Sequence, residues 1–64
     1  MKEFEKILWI DKKLGCKPLA KVRKIIKSNN GEHLYDAIYP EISYGNKMKV
    51  VIKYLARKEI DIII

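Results

Sequence analysis

Apolar residues recur along this chain at intervals of three and four, the spacing that lays them along one side of a helix. Phe4, Ile7, Leu8 and Leu14 follow that interval, interrupted by Asp11. They predict a first helix over 2–13, with Glu3 and Glu5 in its first turn and Lys12 and Lys13 in its last, as the helix dipole prefers. Gly15 falls near its C-cap. Ile7-Leu8-Trp9-Ile10 is also rich in strand formers, so a strand over 6–10 stays open. Leu19, Val22, Ile25 and Ile26 predict a second helix over 18–28. Pro18 suits its first position, where the missing N–H has no intrahelical partner.

Asn29-Asn30-Gly31 breaks that helix and caps a third over 32–39, with Leu34, Ala37 and Ile38 inward and Pro40 as its stop. Asn46 reads as the N-cap of a fourth helix over 46–58, in which Met48, Val51, Ile52 and Leu55 recur at i, i+3, i+4, i+7. The end, 59–64, turns β-branched and reads as a strand or packed tail that needs something to pair with. The expected fold class is mainly α. About four short helices form one small domain over 1–64, with a short extended segment at the C-terminal end.

A chain of 64 residues makes one domain at most. Cys16 is the single cysteine and His33 the single histidine, which excludes a disulfide and a cysteine–histidine zinc cluster. No metal or cofactor is expected. No apolar run approaches the roughly 18 residues of a membrane span, and Met1-Lys2-Glu3-Phe4-Glu5 does not open like a signal peptide. The expectation is a cytoplasmic chain without membrane contact.

Charge narrows the function classes further. The net charge is +6, and from Lys12 to Gly31 seven cationic side chains stand without one carboxylate. Such a field attracts polyanions and speeds their encounter. Lys17, Lys21, Lys24 and Ser28 fall opposite the apolar side of the second helix. Lys49, Lys53 and Arg57 make a second basic stripe on the expected fourth helix. For both stripes a plain solvated face is the competing reading. Lysine meets phosphate as a point charge, whereas arginine carries the fork that reads guanine. With twelve lysines to two arginines, contact would be strong on backbone and thin on bases.

From Ile7 to Lys27 the chain resembles the helix-turn-helix of small bacterial and phage repressors, excisionases and transposase heads. Ile10, the Leu14-Gly15-Cys16 turn, and Leu19 and Val22 with Ile25 and Ile26 carry the likeness. Asp11 stands where that motif has a small residue, and the interval from Gly15 to Val22 is one residue longer. The resemblance implies that the second helix enters the major groove. It places Lys17, Lys21, Arg23, Lys24, Lys27, Ser28 and Asn29 at DNA, with Arg23 the residue equipped for guanine and Ser28 and Asn29 for sugar or phosphate.

The implied function is a small basic regulator of phage or mobile-element type bound to duplex DNA. As a homodimer it would set two such helices roughly 34 Å apart. The alternative is a small interaction protein that binds a host protein and touches no nucleic acid. Trp9, Tyr39, Tyr44, Ile62 and Ile64 are the expected partner or dimer contacts, tyrosine being rigid contact area of low entropy cost. An enzyme is not expected. His33 and Asp36 have no nucleophile beside them, and Cys16 reads as a small apolar filler.

Overall fold

In the computed structural model, which describes residues 1–63, the elements are β1 (Lys2–Asp11), α1 (Lys17–Ser28), β2 (Glu32–Tyr44) and β3 (Lys47–Ala56). The three strands form one antiparallel sheet in the order β1-β3-β2. This overturns the expected mainly α bundle. Of the four expected helices only the second has a counterpart, α1, and the first, third and fourth are strands.

The reason lies in two periodicities that share a multiple. A spacing of four marks one side of a helix, but it is also twice the strand period of two. In β3 Met48, Val50, Ile52, Tyr54 and Ala56 are buried at every second position. Lys47, Lys49 and Lys53 take alternate positions between them, so the lysines spaced i, i+4 lie on one strand face. In β1, Phe4, Leu8 and Ile10 likewise point to the core and Ile7 and Trp9 away from it. Long-range pairing decides between the two readings. β3 lies between β1 and β2 with both of its edges hydrogen-bonded, and β-branched Val50, Val51 and Ile52 suit that place.

The core sits between one face of the sheet and α1. Leu19, Val22 and Ile26 of the helix pack with Leu8, Ile10, Met48, Val50, Ile52 and Tyr54, and the Phe4 ring stacks on Tyr54 at 5.5 Å. The tail is not a strand. It closes the open end of this core, with Ile60 and Ile62 buried. The Tyr54 hydroxyl accepts a hydrogen bond from the Ile60 N–H at 3.0 Å.

Local chemistry sets the turns. Asp11 Oδ1 accepts the Lys13 N–H at 2.9 Å, and Gly15 at φ +58° completes the turn into α1. Cys16, at the N-cap position, is exposed and is no filler. Pro18 is the second residue of the helix, one later than expected, in the first turn where its preset φ fits and its missing N–H costs nothing. At the far end Gly31 donates its N–H to the Ile26 carbonyl at 2.8 Å. A Cβ there would lie 2.8 Å from Ile60 Cδ1 and 2.9 Å from Ile26 Cγ2, so the chain leaves the helix through a gap only glycine fits. Pro40 does not stop a helix. It lies in an edge strand where the pairing jumps from Tyr39 to Ser43, a place that tolerates a missing N–H. Gly45, at φ +64°, and Asn46 form a two-residue hairpin turn between β2 and β3, so Asn46 caps no helix.

Candidate nucleic-acid interface

Two surfaces on opposite sides of the molecule carry most of its cationic and exposed aromatic side chains. The first is the solvent face of α1. Lys17, Lys21, Arg23, Lys24, Lys27 and Ser28 are all exposed along it, and Lys12 and Lys13 are exposed in the turn that precedes it. Among the described residues none of these lysines makes an ion pair. Behind them the helix is held by the apolar core, so the ammonium groups project from a backed surface.

Three members of the expected DNA-binding set are engaged within the chain. Arg23 NH2 donates to Asp36 Oδ2 at 2.5 Å, tying the helix to β2. Ser28 Oγ and Asn29 Nδ2 both donate to the Ile25 carbonyl, at 2.9 and 2.8 Å, and so cap the end of α1. The bracing helix of a helix-turn-helix is strand β1 here. The resemblance to that motif is therefore set aside: α1 leans on a sheet, with no second helix across its turn.

His33 Nε2 lies 2.6 Å from Asp36 Oδ1, so Asp36 receives a partner on each oxygen. Burial by itself pushes the Asp36 carboxyl up. The hydrogen bonds from Arg23 and His33, with their positive charge, more than offset this and hold it below the usual aspartate range. The cluster joins α1 to the sheet. Among the described residues there is no group of acidic, histidine or cysteine side chains fit to hold a metal ion.

The second surface is the sheet face turned away from α1. Cross-strand register aligns its side chains in rows over the three strands. Trp9, Lys49 and Tyr39 form one row. Ile7, Val51 and Ala37 form the next, and Glu5, Lys53 and Tyr35 the one after. At the hairpin end Asp11, Lys47 and Tyr44 complete the set. Lys49 Nζ stands 5.8 Å from the Tyr39 ring centroid, and Lys53 Nζ 5.9 Å from that of Tyr35. Lys53 also pairs with Glu3 at 3.8 Å.

No family model, curated protein or solved structure matches the chain. The surfaces are thus read from their own chemistry.

Of the expected partner contacts, Trp9, Tyr39 and Tyr44 come together on this open face. Ile62 does not; it is buried in the core, because the tail folds back. Ile64 lies outside the described residues. The expected second stripe is divided. Lys49 and Lys53 are half-buried on the open face of β3, while Arg57 is exposed in the bend beyond it. Lys47 and Ile7 belong to the open face and were absent from the expected set. The signal for Lys47 was present in the alternation of lysine with Met48, Val50 and Ile52. Among the described residues no helix is long and apolar enough to cross a membrane.

Proposed function

We propose that the protein binds duplex nucleic acid through its phosphate backbone, with the outward face of α1 laid against the duplex. The observation that supports this most is the single sign of the surface. Lys12, Lys13, Lys17, Lys21, Lys24 and Lys27 are exposed, and no carboxylate occurs between Asp11 and Glu32. Lysines on a backed helix meet phosphates as point charges and need no preformed base contact. Arg23, the one side chain of α1 with a guanine-reading fork, is occupied by Asp36, so binding is tolerant of sequence. The role is occupancy of nucleic acid, without chemistry on it.

The test is a pair of double charge reversals that change net charge equally. Lys21→Glu with Lys24→Glu, on α1, should weaken binding to an unrelated duplex about ten-fold or more at low salt. Lys2→Glu with Lys58→Glu, both exposed and off that face, should cost about three-fold or less. Equal losses would mean that charge acts only in bulk, and absence of duplex binding by the unmodified protein would overturn the reading outright.

A further inference from the structure

The sheet face opposite α1 has no element of the described chain laid over it, yet Trp9, Tyr39 and Tyr44 stand on it 45%, 37% and 82% exposed. We propose that the Trp9 end of this face binds unpaired nucleic-acid bases by stacking, as a second surface that works whether or not α1 docks on a duplex. The register carries the inference. Trp9 on β1 and Tyr39 on β2 flank Lys49 on β3 in one row. Strands lie about 4.8 Å apart, which sets the two rings about 10 Å from one another with an ammonium between them. That is an aromatic platform on each side of a phosphate contact, the combination that holds single strands with little regard to sequence. Beside this row Trp9, Tyr44 and Lys47 line an open hollow of about 390 Å3.

The ammonium of Lys49 lies near the Tyr39 ring, a site of cation–π attraction in the free protein. A base offers that ring another π face and brings a phosphate for the lysine, so both partners exchange contacts without leaving either unpaired. Charge also says which end is used. Glu3 and Glu5 share the other end of the face with Lys53, and Lys53 is already paired with Glu3. At the Trp9 end Lys47 and Lys49 make no ion pair among the described residues. Asp11, opposite Lys47, has a carboxylate oxygen that accepts the Lys13 N–H in the turn, and Glu41 lies in the unpaired stretch between Tyr39 and Ser43. A second copy of this chain is a poorer occupant. Related by a two-fold axis centred on the Trp9–Lys49–Tyr39 row, it would set lysine against lysine.

Trp9 is the only tryptophan, so its emission reports on this surface directly. A short oligothymidylate should quench Trp9 emission on binding, and a duplex of the same length should not. Lys49→Gln and Tyr39→Ala should each weaken oligothymidylate binding about ten-fold. Tyr39→Phe, which keeps the ring, should retain it and guards against a folding artefact. Lys21→Glu with Lys24→Glu should leave the quench at saturation intact, so a failure of the α1 reading is distinguishable from a failure here. Two results would overturn the proposal. One is oligothymidylate binding with Trp9 emission unchanged. The other is a dimer by light scattering whose Trp9 emission shifts with protein concentration, which would give the face to a second copy.

Discussion

Asp36 shows how one side chain can join two elements through chemistry the sequence half reveals. In a regular strand, residues i and i+3 point to opposite faces. His33 and Asp36 nonetheless meet at 2.6 Å, because the pairing slips between His33 and Tyr35. The extra residue, Leu34, bulges and returns both side chains to the face that carries α1. On the expected third helix over 32–39 a spacing of three would have brought them together; the contact forms instead through a bulged strand. Asp36 sits with only 9% of its side chain exposed, while the Arg23 side chain is 54% exposed. Solvent screening therefore limits the ion pair, and Asp36→Asn should cost about 1 kcal/mol in urea denaturation at neutral pH. The sign of the pH dependence follows from the lowered pKa. Asp36 binds its proton more weakly when folded, so its stabilisation is fully present above the ordinary aspartate range. It is lost as pH falls through the lower folded value. The unmodified chain should lose its advantage over Asp36→Asn along that acid limb, and parallel curves for the two proteins would count against the assignment.

At the scale of elements, α1 was legible; of the strands only β1 was, and only as the open alternative over 6–10. Pro18 and Gly31 bracket a segment whose apolar residues Leu19, Val22 and Ile26 fit a period of 3.6 and not of two. In β1 and β3 the apolar and lysine positions satisfy both periods. A tie of that kind is broken by partners distant in sequence, which local spacing does not contain. The tail makes the same point. The stretch was expected as a strand or a packed tail, and Ile60 and Ile62 take the second course, covering the end of the chain's own core. Tyr54 holds that closure through its hydroxyl, which accepts the Ile60 N–H. Tyr54→Phe keeps the ring and leaves this buried N–H unsatisfied, an expected loss of about 1–2 kcal/mol. Amide exchange at Ile60 should rise more than at Val50 in the sheet centre. Equal loss of protection at both would mean that the bond supports the whole fold and not the tail.

For the whole molecule, one helix on one side of a three-stranded sheet leaves two faces of different character. The α1 side offers ammonium groups and no rings. The open side offers rings with lysines between them. Salt separates these modes. A duplex held along the six exposed lysines from Lys12 to Lys27 should show a log–log salt slope near −5, at roughly 0.9 per phosphate neutralised. Stacking is less salt-dependent, so oligothymidylate bound at the Trp9 row should give a distinctly shallower slope. A duplex slope shallower than about −2 would remove the side-on docking of α1.

By itself the sequence determined the cationic, acid-free stretch from Lys12 to Gly31 and that no disulfide can close within these 64 residues. It also set the helical segment that carries Pro18 in its first turn. All three depend on residue identity and near neighbours alone. Tertiary structure decided that the segments around α1 are strands, that Arg23 is spent on Asp36, and that Trp9, Lys49 and Tyr39 stand in one row. These depend on which strand lies beside which. That is settled by the apolar area buried and the hydrogen bonds closed when distant segments meet, a free energy no local window of residues contains.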